Sequence, residues 1–167
     1  MITVGRHQLA ATVFGEGTPV VVIEPSFGGA AADWEKIART LAEETTVITY
    51  DRAPYGASSA ARDARTPHEI AADMDGLLRE LGVTEPVVLV GHSAGGIYIR
   101  AYAAQHLERV AGMVLVESSH EGQRPVLDPL RARDLLQQPL LALEGDEVLE
   151  RPDRLLGGGV GRDLALG

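Results

Sequence analysis

The sequence predicts an α/β protein built on a doubly wound, mostly parallel β-sheet. Short apolar runs rich in β-branched residues alternate along the chain with longer segments of helical periodicity, as in repeated strand–helix units. Several runs are continuous rather than interrupted by polar residues, which indicates strands buried on both faces. The 167 residues suffice for one domain with a substantial core. We expect that domain at 1–156, followed by a glycine-rich tail at 157–167.

The elements follow from local signals taken in chain order. Residues 2–14 predict an antiparallel hairpin at a sheet edge, because two short alternating stretches surround Gly5-Arg6. Asp33 is expected to cap the first helix and Thr66 the second, which has proline at its first position. The expected strands cover residues 20–23, 45–50, 86–90, 110–116 and 140–143. The expected helices cover residues 33–43, 66–81, the stretch from the 91–96 turn to about 107, and 129–137.

Composition and charge exclude several classes of function. Apolar residues make up 45% of the chain and charged residues 23%, the balance of an ordinary globular protein. The net charge of -9 repels phosphate backbones and anionic lipid, so neither nucleic acid nor a membrane is expected as a partner. The absence of cysteine excludes disulfides, zinc–thiolate sites and thiol nucleophiles, and no metal or organic cofactor is expected. Without a signal-peptide pattern or a long apolar run, the expected location is cytoplasmic.

The most informative motif is Gly91-His92-Ser93-Ala94-Gly95, which fits G-x-S-x-G and joins an expected buried strand to an expected helix. That setting is typical of a nucleophile elbow, because a serine hydroxyl must stand clear of the sheet where a base can reach it. Flanking glycines allow the sharp turn, and the helix N-terminus offers N–H groups to a developing oxyanion. A phosphate-binding loop is disfavoured, since neither G-x-x-x-x-G-K-[ST] nor G-x-G-x-x-G occurs at this turn.

Two further landmarks precede GHSAGG at 91–96: VIEPSFGG at 22–29 and YDRAPYG at 50–56. In these three landmarks, and over residues 8–146, the chain resembles the α/β-hydrolase superfamily, in particular its small bacterial esterase- and lactonase-like members. It implies a nucleophile at Ser93 and an oxyanion hole made by the backbone N–H groups of Phe27 and Ala94. The family loop that often reads His-Gly-Phe-Gly-Gly is Pro25-Ser26-Phe27-Gly28-Gly29 in this chain.

Further along the chain the resemblance implies an acid residue, but the histidine that normally follows it is missing. Asp146 matches the family's acid, with Glu144 and Glu117 as weaker alternatives. No histidine follows Asp146, so the chain is expected to be shortened at its C-terminus, lacking most of a cap and the last strand–helix unit. Asp51 and Arg52 are expected to hold loops together rather than perform chemistry.

Five histidines are available as the base. His120 is the best candidate, because it follows an expected strand at the carboxyl edge where Ser93 should stand, although a surface-loop histidine without a catalytic role is the competing interpretation. The other four lie in the hairpin, in a first helical turn, beside Ser93 and at a helix C-terminus: His7, His68, His92 and His106.

Two functions are therefore weighed. The first is a serine hydrolase that cleaves small, accessible carboxylic esters through an acyl-enzyme, with Ser93, His120 and Asp146 as its triad. The second is a non-catalytic or truncated α/β-hydrolase-like binding protein without a complete triad. In the first case the partner is a small-molecule ester. A homodimer is a further way in which a missing group could be supplied.

Overall fold

The structure is a computed structural model that describes residues 1–61 and 65–120. Seven strands are present in these ranges: β1 (Ile2–Val4), β2 (His7–Leu9), β3 (Ala11–Phe14), β4 (Val21–Glu24), β5 (Val47–Tyr50), β6 (Val87–His92) and β7 (Val110–Val116). They contain three α-helices: α1 (Glu35–Leu41), α2 (Pro67–Glu80) and α3 (Gly95–Gln105). Two 3-10 turns, Ala31–Trp34 and Leu107–Arg109, precede α1 and β7.

The main sheet has the strand order β3-β5-β4-β6-β7. All its neighbouring strands run parallel except β3, which pairs antiparallel with β5 from Ala11 opposite Tyr50 to Phe14 opposite Val47. Strands β1 and β2 form a separate antiparallel hairpin. The predicted α/β class with a mostly parallel sheet and an N-terminal hairpin is confirmed. The expected single hairpin over residues 2–14 is corrected, because its last part is β3, an edge strand of the main sheet.

Helices cover both faces of the sheet, as a doubly wound fold requires. Side chains alternate along β4, so Val22 faces one layer while Val21 and Ile23 face the other. The larger core layer lies under α2 and α3 and includes Leu9, Ile48, Tyr50, Met74, Leu77, Leu89, Ile99 and Tyr102. The smaller layer lies under α1 and includes Val47, Val90 and Ala38, with Trp34 and Phe14 packed against it.

Of the two predicted helix N-caps, the structure confirms one and corrects the other. Thr66 caps α2 as predicted: its hydroxyl accepts the N–H of Glu69 while the Glu69 carboxylate accepts the N–H of Thr66. The predicted cap at Asp33 is wrong, because Asp33 lies inside a 3-10 turn and its carboxylate accepts the N–H of Ala30 at 2.9 Å. Helix α1 therefore begins only at Glu35.

Several predictions lie outside the described residues: the helix at 129–137, the strand at 140–143, the domain end at 156 and the tail at 157–167. Among the helices of the described part, none has the length and apolar character that crossing a membrane requires.

Candidate active site

The turn between β6 and α3 holds Ser93 in a strained backbone conformation. Its φ is 51°, in the left-handed region that costs energy for any residue with a side chain. The N–H of Ser93 donates to the carbonyl of Val116 at 3.1 Å, which ties the turn to the end of β7. The carbonyl of Ser93 accepts the N–H groups of Gly96 at 3.1 Å and of Ser119 at 2.9 Å. The surrounding backbone thus maintains the strain, and the Ser93 side chain remains half-buried.

Glycines around Ser93 allow three backbone segments to meet. A Cβ on Gly91 would lie 2.8 Å from the Cα of Gly96, so only glycine lets β6 and α3 approach this closely. A Cβ on Gly95 would overlap the carbonyl oxygen of Glu24 and lie 2.8 Å from that of Pro25. A Cβ on Gly96 would overlap the Ser118 hydroxyl and lie 2.6 Å from the Ser118 Cβ. The start of α3 is therefore enclosed by one loop on each side.

The first of these loops, the β4 loop (residues 25–29), follows β4 and contains a β-turn. The carbonyl of Ser26 accepts the N–H of Gly29 at 3.1 Å, and Gly28 has a φ of 73°, the value that favours glycine at this position of a type II turn. Within the described residues the N–H of Phe27 donates to no protein acceptor, and the N–H of Ala94 likewise has none. Both groups remain available to a bound molecule.

A buried ion pair lies beneath the β4 loop. Glu24 and Arg52 are 0% and 2% exposed, and their side chains form a salt bridge. The hydroxyl of the buried Tyr50 donates to the other carboxylate oxygen of Glu24. Arg52 also donates to the carbonyl of Pro25 at 2.7 Å and to that of Ser26. Every partner of Arg52 in this cluster is therefore an acceptor that fixes its position.

Burial and neighbouring charges together shift the pKa values of Glu24 and Tyr50. Burial raises the pKa of the Glu24 carboxyl, while the Arg52 charge and the hydrogen bonds from Tyr50 and Arg52 oppose that rise. Burial and the neighbouring Glu24 carboxylate both raise the pKa of the Tyr50 hydroxyl well above its ordinary value. The Arg52 guanidinium also lies over the rings of Tyr55 and Tyr98, 5.5 and 4.9 Å from their centroids. The cation is thus held by a carboxylate, two carbonyls and two aromatic faces.

The second loop, the β7 loop (residues 117–120), follows β7 and carries His120. Glu117 has a φ of 42°, a second strained residue without glycine's freedom. Arg100 of α3 donates to the hydroxyl of Ser118 at 3.2 Å and to the carbonyl of Ser119 at 2.6 Å. His120 is exposed and lies one residue beyond the backbone bond between Ser119 and Ser93. In the described part of the chain no hydrogen bond joins the side chains of Ser93 and His120.

The other residues considered from the sequence pack on the α1 side of the sheet, join two loops or lie outside the described residues. The ring of His92 stacks edge-on against Trp34 at 5.9 Å between centroids, on the α1 side of the sheet. The carboxylate of Asp51 accepts the N–H groups of Ala31 at 2.7 Å and Ala57 at 2.9 Å, and so joins two loops. Asp146 and its alternative Glu144 lie outside the described residues.

The role of Glu24 is not evident from the sequence. The predicted strand ends at residue 23, whereas Glu24 is the last residue of β4 and is completely buried. An acidic residue directly after four β-branched residues is the one available signal, since a buried charge requires a partner. The partner, Arg52, is 28 residues away in sequence and could not be chosen from spacing.

Comparison with known proteins identifies a family to which the chain is similar. A family model described as "alpha/beta hydrolase fold" matches residues 19–146, more than half of the chain. A thermophilic esterase from Thermogutta terrifontis, solved with malate bound, is 27% identical with a TM-score of 0.66. That similarity covers 80% of this chain and 52% of the esterase.

Two curated relatives illustrate the range of proteins that contain a region similar to this chain. The protein named "Probable transporter efuK" of Hormonema carpetanum is 34% identical over 139 residues, 78% of this chain and 20% of that protein. The sn-1-specific diacylglycerol lipase ABHD11 of Mus musculus is 32% identical over 114 residues, 66% of this chain and 36% of the lipase. The chain therefore spans less than half the length of these two relatives.

Proposed function

The chain belongs to the α/β-hydrolase fold family, and from that premise we propose that it is a serine hydrolase acting on small, accessible carboxylic esters through an acyl-enzyme on Ser93. Its relatives named as an esterase and a lipase support hydrolysis in general. The choice of serine chemistry rests on the turn between β6 and α3.

The observation that carries the proposal is the strained conformation of Ser93 at the start of a helix that packs against the β4 loop. A φ of 51° is maintained by three backbone hydrogen bonds, and such strain persists where the surroundings enforce it. The N–H groups of Phe27 and Ala94 donate to no acceptor within the described residues, so they can serve as oxyanion donors. Because the carbonyls of Glu24 and Pro25 pack against Gly95, the β4 loop stays next to the start of α3.

In the proposed reaction the Ser93 Oγ attacks the ester carbonyl carbon while His120 takes the hydroxyl proton. The N–H groups of Phe27 and Ala94 stabilise the negative charge that develops on the carbonyl oxygen. The tetrahedral intermediate collapses, the carbon–oxygen bond to the leaving group breaks, and His120 gives its proton to the departing alcohol. Water, deprotonated by His120, then attacks the acyl carbonyl carbon. The bond from that carbon to the Ser93 Oγ breaks, His120 returns the proton to the Ser93 Oγ, and the carboxylic acid is released. Asp146 is proposed as the acid that orients His120.

The test is labelling with a fluorophosphonate probe beside hydrolysis of a short-chain p-nitrophenyl ester, on the wild type and on Ser93→Ala. We expect the wild type to be labelled and to turn over, and the variant to lose both. Loss of the nucleophile lowers kcat on the order of 10⁶-fold in serine hydrolases, so the residual rate should lie at background.

Ser59→Ala is the matched control. Its hydroxyl accepts the N–H of Gln8 at 3.0 Å, far along the chain from Ser93, so the same chemical change should leave labelling and turnover intact. A folded wild-type protein that is neither labelled nor active would contradict the proposal. In that case the chain would be a binding protein of this fold.

A further inference from the structure

Arg52 lies beneath the β4 loop and reaches the loop's main chain rather than the exposed surface. Its guanidinium donates to the carbonyl of Pro25 at 2.7 Å and to the carbonyl of Ser26. Arg52 is only 2% exposed, so these donors are shielded from other molecules. Two successive carbonyl groups of the loop are thus directed inward toward one buried cation.

The direction of one carbonyl fixes the direction of the next N–H. The peptide bond between Ser26 and Phe27 is trans and planar, so its C=O and N–H point in opposite directions. Since the Ser26 carbonyl is held by Arg52 and by the N–H of Gly29, the Phe27 N–H must point away from Arg52. Rotation of this peptide would break both hydrogen bonds at once.

Arg52 is itself held in a single position. Glu24 and Tyr50 form a hydrogen-bonded chain behind it, and both are buried. The rings of Tyr55 and Tyr98 flank the guanidinium plane at 5.5 and 4.9 Å. A planar, forked cation with five N–H donors can bond the carboxylate and both carbonyls together, whereas a lysine ammonium cannot reproduce this geometry.

The geometry points to Arg52 as a positioning residue that aims the Phe27 N–H at the substrate oxyanion, with Glu24 fixing Arg52 in turn. This inference rests on the proposed function, because it concerns the oxyanion donor of the Ser93 reaction. In this chain Pro25-Ser26 stands where similar loops carry His-Gly, and the buried ion pair determines the loop conformation.

The test compares Arg52→Lys with the wild type on a p-nitrophenyl ester and on the matching thionoester, in which sulfur replaces the carbonyl oxygen. Sulfur is a weak hydrogen-bond acceptor, so an intact oxyanion hole favours the ester. Losing one such donor costs about 10²–10³ in kcat. We expect Arg52→Lys to lower kcat for the ester about 10- to 100-fold with little change in KM. The ester-to-thionoester ratio of kcat/KM should fall about tenfold as well.

A second variant covers the case in which a lysine at position 52 prevents folding. Glu24→Gln combined with Arg52→Gln removes both charges together, and so avoids the uncompensated buried charge that removal of one partner alone would leave. The folded double variant should show the same loss of kcat and of ester preference. Arg79→Lys, which changes an exposed partner of Asp75 on α2, is the matched control and should keep both values.

The outcomes separate this inference from the function it rests on. Ser93-dependent turnover in the wild type, with reduced kcat and reduced ester preference in both variants, supports it. Wild-type kcat and an unchanged ester-to-thionoester ratio in the variants would overturn the role of Arg52 and leave the hydrolase intact. A lower kcat with an unchanged ester-to-thionoester ratio would also overturn the role of Arg52, because general destabilisation of the protein lowers the rates on both substrates equally. A wild type without Ser93-dependent turnover would remove the proposed function itself.

Discussion

The two loops beside Ser93 are held in different ways. The β4 loop is fixed from below by buried side chains: Arg52 donates to two of its carbonyls, and Glu24 and Tyr50 hold Arg52. The β7 loop bonds directly to the backbone of Ser93, since the N–H of Ser119 donates to the Ser93 carbonyl. Arg100 of α3 also donates to the Ser118 hydroxyl and the Ser119 carbonyl, but Arg100 is half-buried, whereas Arg52 is only 2% exposed.

The difference corresponds to what each loop offers to the proposed reaction. The β4 loop would contribute a backbone N–H, so the atoms that matter are common to every residue and their direction must be enforced by something else. The β7 loop would contribute the side chain of His120, which needs freedom to move a proton between Ser93 and a leaving group. Anchoring by a buried side chain suits the first task, and an exposed position on the β7 loop suits the second.

The strongest way to break this comparison is to remove the side chain that the β7 loop contributes. His120→Gln should lower kcat/KM for a short-chain p-nitrophenyl ester by about 10²–10⁴-fold, the usual contribution of a general base. His68→Gln is the control, because that histidine is likewise exposed but lies in the first turn of α2. A wild-type kcat/KM in His120→Gln would show that His120 is not the general base.

A smaller effect is expected where the β4 loop meets α3. In Gly95→Ala the new methyl would overlap the carbonyl oxygen of Glu24 and lie 2.8 Å from that of Pro25, and both obstacles are main-chain atoms. The loop must shift, which costs about 1–3 kcal/mol of stability for overpacking. A displacement of about 1 Å at a catalytic group costs on the order of 10²-fold in rate. Urea unfolding and ester kinetics would measure both, and unchanged kinetics would show that the β4 loop does not set the rate.

The fold was predictable wherever its signals are local. Helix α2 was confirmed because Thr66, Pro67 and the glycine at 82 determine its ends without reference to the rest of the chain. Strand β3 was missed as a separate element because only Ala10 divides it from β2, and its partner β5 lies more than thirty residues away. The 3-10 turn before α1 was missed because aspartate is a residue type favoured at helix N-caps, whereas Asp33 lies inside the turn and does not cap α1.

The candidate site follows the same rule. The turn at Ser93 could be located from five consecutive residues, since its glycines and its place between strand and helix are contiguous in sequence. The contact between Glu24 and Arg52 could not, because a salt bridge between strand ends depends on which strands are neighbours in the sheet. The roles of Phe27, Ala94 and His120 stay predictions, and so does that of Asp146.

The smallest expected effect is at Gly96, where the β7 loop meets α3, and it sharpens the contrast with Gly95. A methyl at this position would overlap the hydroxyl of Ser118 and lie 2.6 Å from its Cβ, two atoms of one side chain rather than two main-chain oxygens. Gly96→Ala should therefore lower kcat/KM about tenfold, less than Gly95→Ala, because the Ser118 hydroxyl can rotate away and only its Cβ must shift.

The added change Ser118→Gly removes the obstacle altogether, and the next neighbour of the methyl is then Leu115 at 3.4 Å, an ordinary contact. The double variant should regain most of the lost rate, an interaction that a double-mutant cycle measures directly. No single side-chain deletion can rescue Gly95→Ala in this way, since its obstacles are carbonyl oxygens. Equal rate losses at Gly95 and Gly96, with no rescue by Ser118→Gly, would mean that the two loops are equally rigid.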